Sequence, residues 1–160
     1  KRHQFMLVRR IILKNWRNFR SVDVKLGDRV FLAGPNASGK SNFLDAFRFL
    51  RDIAKLGGGL QKAVNDRGGI SKIRCLAARE HPDVEIEVHL GESEEQDPNW
   101  RYAIGIRQEA RGYRNPILTY ERVWDGDRQI LDRPLSADSD DQVRLESIAA
   151  IDSASIAGRG

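Results

Sequence analysis

A single cysteine, Cys75, is the only thiol in the 160 residues. It has no partner for an internal disulfide, so a reducing, cytoplasmic setting is the simplest fit. It lies in Ile73-Arg74-Cys75-Leu76 with no evident base beside it, and reads as a small core or surface thiol, not a nucleophile. Long apolar runs are also missing. Ile11-Ile12-Leu13 is typical of the longest, far too short to cross a bilayer, so no membrane partner is expected. The stretch Lys1–Met6 has neither a long apolar segment nor a small-residue cleavage site, so no signal peptide is read there. Histidine is scarce: His3, His81 before Pro82, and His89 on the polar side of an alternating run. No two of them, and no Cys–His pair, have metal-ligand spacing, which argues against a zinc site. There is no internal repeat and no low-complexity tract.

What is present is an ordinary globular mixture, 40% hydrophobic and 31% charged. That composition argues against wholesale disorder, and the length suits one domain with a real core. The net charge of +4 hides an uneven distribution. Residues 1–80 carry 18 Lys or Arg against 6 Asp or Glu, whereas residues 81–160 carry 9 against 17. A basic first half suits nucleotide phosphates, nucleic acid, or simply a solvated basic surface.

The hydrophobic pattern orders the elements. Met6–Leu13 is apolar and β-branched, a strand whose partner is the alternating run Val22–Leu26. Gly27-Asp28 marks a turn. Arg29–Ala33 is a short apolar run of the kind expected for a buried strand. From Lys40 the period becomes helical: Phe43, Phe47, Leu50 and Ala54 recur three or four apart, and Gly57-Gly58-Gly59 ends the helix. Leu60–Arg79 reads as a short helix, a loop and an irregular return. Val84–Leu90 and Trp100–Ile106 alternate cleanly. Ile117–Trp124 meets Gln129–Leu131 across Asp125-Gly126-Asp127, a hairpin signal. The second half is therefore expected to be an antiparallel meander. Asp132–Asp141 is polar and loop-like, and Val143–Ile156 has the pattern of a last helix.

One motif carries chemistry. Gly34-Pro35-Asn36-Ala37-Ser38-Gly39-Lys40-Ser41 fits G-x-x-x-x-G-K-[ST] at every fixed position, between an apolar run and an amphipathic helix. The pattern has a physical logic. A loop that turns its backbone N–H groups onto a polyphosphate needs conformations open mainly to glycine, hence Gly34 and Gly39. The helix that begins near Lys40 aims its free N–H groups and its dipole at the same anion. Lys40 supplies a mobile positive charge for the β- and γ-phosphates and is the catalytic candidate. Ser41 offers a hydroxyl to Mg²⁺, a hard cation that prefers oxygen. Asn42 adds a further candidate contact. The implied ligands are ATP and Mg²⁺.

The surroundings of the loop narrow the class. Asn18-Phe19-Arg20-Ser21, then a strand, then Phe31-Leu32-Ala33-Gly34-Pro35-Asn36-Ala37-Ser38-Gly39-Lys40-Ser41-Asn42-Phe43-Leu44-Asp45-Ala46 closely resembles the ABC-type ATPase heads of the RecF, SMC and OLD-like families. The resemblance is specific over about residues 7–50. It implies an α/β P-loop NTPase fold, with residues 1–160 as the N-terminal lobe: a P-loop helix and an antiparallel β meander. It implies that Arg20 and Ser21 lie near the nucleotide, Arg20 as a phosphate or adenine-side contact. It also implies head-to-head dimerisation over ATP, and an output in DNA repair, chromosome maintenance or phage defence, on DNA and with a partner nuclease.

The departures from the family pattern are informative. Such heads hydrolyse ATP with an apolar strand ending in Asp-Glu, and no stretch here fits: Val84–Leu90 runs into Gly91-Glu92, and Ile117–Trp124 into Asp125-Gly126. A signature of the L-S-G-G type is also missing; Leu135-Ser136-Ala137-Asp138 is not one. Gln108, after the Tyr102–Arg107 strand, is a candidate for the magnesium-side glutamine of such heads. The economical explanation is a partial head that binds ATP with little turnover. Two alternatives stay open: a small P-loop kinase, with Arg111-Gly112-Tyr113-Arg114 as its lid, and a nucleotide-binding scaffold module.

Overall fold

Alternation of apolar and charged residues produces the strands, and the inner ones bury their apolar sets on one side of one sheet, whereas the two edge strands have no fully buried side chain. The computed structural model describes residues 6–77, 83–93 and 96–133. The helix expected over 143–156, and the polar stretch beyond Arg133, lie outside those residues. The strands are β1 (Leu7–Trp16), β2 (Phe19–Lys25), β3 (Val84–Gly91), β4 (Trp100–Gln108), β5 (Pro116–Asp125) and β6 (Arg128–Arg133). Between β2 and β3 come three helices, α1 (Lys40–Ala54), α2 (Leu60–Asn65) and α3 (Ile70–Ile73). All six strands form a single antiparallel sheet in the order β2-β1-β3-β4-β5-β6. The fold is thus α/β, and the first strand pair and the meander are one continuous sheet, not two. The irregular return expected within Leu60–Arg79 contains α3, and β6 runs on through Asp132 to Arg133, which had been read as loop.

The core lies between the sheet and the helices. Ile11, Leu13, Ile86, Ile104 and Ile106 are fully buried beneath Phe49, Ile53, Val64 and Ile70. Each such side chain contributes about 2 kcal/mol from apolar burial. The helix α1 forms as expected, but its buried stripe is Phe43, Ala46, Phe49 and Ile53. Phe47 and Leu50 are only partly buried, and Ala54 is exposed. Trp16 explains the rotation: it is completely buried, with its ring centroid 5.3 Å from that of Phe49, so it draws Phe49 inward.

The run Arg29–Ala33 does not form a strand. Val30 is 49% exposed, Phe31 91% and Leu32 40%. An apolar strand is stable only where neighbours take its hydrogen bonds and cover its side chains. Among the described residues no strand pairs with this segment, which faces the β2 side chains only across an open groove.

Charged residues lock the helices to one another. Asp45 on α1 accepts hydrogen bonds from Arg17 (2.7 Å) and from Arg67 (3.0 and 3.1 Å). Arg67 also reaches Asp52 at 3.0 Å, and its guanidinium lies 5.2 Å from the Phe49 ring. Burial pushes the Asp52 carboxyl up, but hydrogen bonds from Arg67, Arg51 and Lys55 outweigh it and hold the group down at about 2. Asp45 is likewise depressed, burial being outweighed by Arg67 and Arg17. A depressed carboxylate adds stability above its ordinary value of 3.8 and loses it as pH falls through the folded value. The urea midpoint is therefore expected to drop steeply between about pH 4 and pH 2, and Asp52→Asn should flatten that drop; an unchanged acid profile in the variant contradicts this account.

Farther along the sheet, Glu121 on β5 is 1% exposed. It accepts from the Tyr102 hydroxyl at 2.9 Å and from Arg133 Nε at 2.6 Å. Burial raises its carboxyl, with Arg133 opposing. Both oxygens are spent on structural partners within the sheet.

Candidate functional site

The loop Gly34–Gly39 runs directly into α1, and its backbone explains the glycines. Gly34 has φ +155 and Gly39 φ +98, both in the region that side chains avoid. Gly39 is also pressed from outside. A Cβ there would stand 2.6 Å from Asn18 Nδ2 and 2.8 Å from Phe19 Cζ. Ala37, at φ +64, is a third residue in the left-handed region, which the sequence pattern does not require of it. Ser38 N–H donates to Pro35 O at 3.2 Å and closes the turn, and Phe43 N–H donates to Gly39 O at 2.8 Å as the helix begins. Gly39→Ala combines the strained φ with the collision. It is expected to cost about 1–3 kcal/mol in stability, read by urea denaturation; a cost below about 0.5 kcal/mol contradicts the close approach.

The electrostatics of this end favour an anion. No side chain caps the N-terminus of α1, and its first turn has no acidic residue. Its free N–H groups and the positive end of its dipole therefore face the loop unopposed. Residues 34–38 are exposed, Gly39 is buried and Lys40 is half-buried. The Lys40 ammonium folds over the loop, donating to Gly34 O at 2.5 Å, Pro35 O at 2.8 Å and the Ser38 hydroxyl at 3.4 Å. The loop carbonyls thus keep the charge at the loop mouth. Ser41 is exposed in the first turn of α1. Its neighbour Asn42 is anchored on both sides: Asn42 Nδ2 donates to Asn18 Oδ1 at 2.9 Å, and Trp16 Nε1 donates to Asn42 O at 2.7 Å. The Asn42 amide is therefore a structural contact between helix and turn.

Of the string Asn18-Phe19-Arg20-Ser21, the structure brings the first two residues against Gly39. Arg20 and Ser21 are exposed on β2, with no side-chain hydrogen bond among the described residues. Consecutive strand residues face opposite ways. Ser21 lies across from Lys14, whereas Val22 and Val24 lie across from Leu13 and Ile11. Those two valines, with Phe19, Leu26, Val30 and Leu32, line an apolar groove of about 310 Å³ that ends on Ser38, Gly39 and Lys40. Gln108 closes β4 across from Pro116, at the same end of the sheet as the β1–β2 turn. The β4–β5 loop beyond it exposes Arg111, Tyr113 and Arg114. Cys75 is buried. Among the described residues, no group of three His, Cys, Asp or Glu side chains could hold a metal ion, and no helix is long and apolar enough to cross a membrane.

Two features of the site were not foreseen in the sequence. The exposed strand-like segment before the loop is one. The contact of Asn18 with Gly39 is the other; its only sequence signal is the position of Asn18 in a string whose later residues attract attention for their charge.

No curated protein matches the chain. A protein family does: residues 29–154 match the family described as an AAA domain, putative AbiEii toxin, Type IV TA system. That span takes in the phosphate-loop motif, α1 and most of the sheet, and the chain belongs to this family of P-loop AAA-type ATPase domains.

Proposed function

We propose that this chain is the N-terminal lobe of an ABC-type ATPase head of the RecF, SMC and OLD-like kind, binding Mg·ATP at Gly34–Ser41. One observation carries the reading: a loop with left-handed backbone at Gly34, Ala37 and Gly39 delivers Lys40 to an uncapped helix N-terminus, its ammonium held at the loop mouth. In this reading the N–H groups of residues 36–41 bind the phosphate oxygens, and Lys40 neutralises the β- and γ-phosphates. Arg20, exposed on β2, contacts the nucleotide. Magnesium neutralises charge on the phosphates, and Ser41 is the chain's own oxygen ligand to it. A site with one protein hydroxyl and, among the described residues, no acidic cluster suits an ion that keeps waters and phosphate oxygens as its other ligands.

The exposed segment Val30-Phe31-Leu32 supports the partial-lobe reading. A strand that needs neighbours is completed by a second lobe, which would also bring the Asp-Glu pair and the signature that this sequence lacks. Head-to-head dimerisation over ATP is then the mechanical output. Action on DNA beside a nuclease, in repair, chromosome maintenance or defence, rests on the resemblance and on the basic character of residues 1–80. A P-loop kinase fits less well, because it continues in parallel βαβ units and all strand pairs among the described residues are antiparallel.

The test is hydrolysis of ATP and GTP by the purified chain, measured in samples whose binding is followed by calorimetry. Adenine-preferring binding with negligible turnover is expected. Robust turnover by the monomer overturns the partial-head reading and favours a self-sufficient kinase or NTPase.

A further inference from the structure

The β1–β2 turn is held in a conformation that side chains resist. Asn15 and Arg17, two residues apart, both have φ +54. Non-glycine residues stay there only when their surroundings over-determine them. Here Arg17 N–H donates to Ile73 O at 2.5 Å, its guanidinium reaches Lys72 O at 3.1 Å and Asp45 at 2.7 Å, and Cys75 N–H donates to Asn15 O at 2.8 Å. Four contacts from residues distant in sequence fix one short turn.

The turn spends that rigidity on the start of α1. Trp16 ties the Asn42 carbonyl, Arg17 ties Asp45, and Asn18 accepts from the Asn42 amide at 2.9 Å. The Asn18 side chain also lies against Gly39, so closely that a Cβ on Gly39 would come within 2.6 Å of Nδ2 and 3.1 Å of Oδ1. Gly39 is the hinge between loop and helix, and a glycine there has many conformations to lose when a ligand binds. An ordered side chain packed on it removes that freedom beforehand.

We propose that Asn18 is a positioning residue for the phosphate loop: anchored on Asn42, it braces Gly39 and the first turn of α1 so that their N–H groups are already aligned for a phosphate chain. This rests on the reading of Gly34–Ser41 as a nucleotide site. Asn18 acts through Gly39 and Asn42 and needs no contact with the nucleotide. The brace comes from Asn18, not from Arg20 and Ser21, which follow it in the string.

The experiment compares Asn18→Ala, Asn42→Ala, the double variant and Asn18→Asp in the full chain. Two readouts are used: Mg·ATP affinity by calorimetry, and amide exchange at Phe43, whose N–H bonds Gly39 O, against Phe49 deeper in α1. Asn18→Ala is expected to weaken Mg·ATP about fivefold to tenfold, the loss of one hydrogen bond and its ordering, and to speed exchange at Phe43 while Phe49 is unchanged. The double variant should lose no more affinity than the worse single one, because the two asparagines form one contact. Asn18→Asp keeps the acceptor for Asn42 and should restore protection at Phe43. Unchanged affinity with unchanged Phe43 exchange overturns the proposal, as do additive losses or equal acceleration at Phe43 and Phe49, the mark of general destabilisation. If the unaltered chain binds no ATP, the nucleotide reading fails, and the brace as a device for that ligand fails with it. Phe43 exchange then still tells whether Asn18 orders the helix start.

Discussion

Lys40→Ala is expected to weaken Mg·ATP binding at least about a hundredfold, or about 3 kcal/mol, with little change in folding stability. The two halves of that expectation have separate physical grounds. The affinity loss follows from removing the single ammonium that the loop holds at its mouth, where it donates to Gly34 O and Pro35 O. Backbone N–H groups of the loop and α1 remain, but they carry partial charges, and a triphosphate needs a full one. Stability is spared because Lys40 is half-exposed and bonds only its own loop. Calorimetry and thermal unfolding of the same samples separate the two. Retained affinity in the variant contradicts the role given to Lys40; a large fall in melting temperature would show that the variant had lost its fold instead of a ligand contact.

Arg67→Ala should be strongly destabilising, at about 3 kcal/mol. The guanidinium is 8% exposed and serves two carboxylates, Asp45 and Asp52, that are 18% and 14% exposed. Its removal leaves both partly buried charges short of a partner and takes a cation from the face of Phe49. Arg17 still pairs with Asp45, and Lys55 and Arg51 with Asp52, which keeps the cost at the lower end for a broken buried pair. Arg67→Lys should recover only part of the loss, since a compact ammonium lacks the planar guanidinium's five donors and its broad face over Phe49. Urea unfolding reads both variants, and a loss below about 1 kcal/mol for Arg67→Ala contradicts the network's structural weight.

The residues of the candidate site were more legible in the sequence than their mechanical support. Gly34, Gly39, Lys40 and Ser41 announce themselves because each residue type answers a local need: left-handed backbone, a mobile charge, a hydroxyl. The strands of the meander were legible for a similar reason, since period-two alternation with one buried face is a local pattern. Arg29–Ala33 misled because an apolar run says only that a segment is fit to be buried; no strand among the described residues pairs with it. The buried face of α1 was misjudged by part of a turn, as Trp16, from a distant strand, decides which phenylalanine is inside. The Arg67 network and the Asn18–Gly39 contact join residues 15 to 22 positions apart, where no periodicity brings them together. The antiparallel sheet itself was foreseen strand by strand, but its unity was not, because β1 pairs with β3 across three intervening helices.

Titration of Mg·ATP into the unaltered chain, followed by calorimetry with amide exchange over residues 34–43, tests the central claim most directly. Saturable one-to-one binding with protection gathered at the loop and the first turn of α1 is the predicted result. Absence of binding heat, or protection that falls elsewhere on the molecule, contradicts the assignment of Gly34–Ser41 as the nucleotide site.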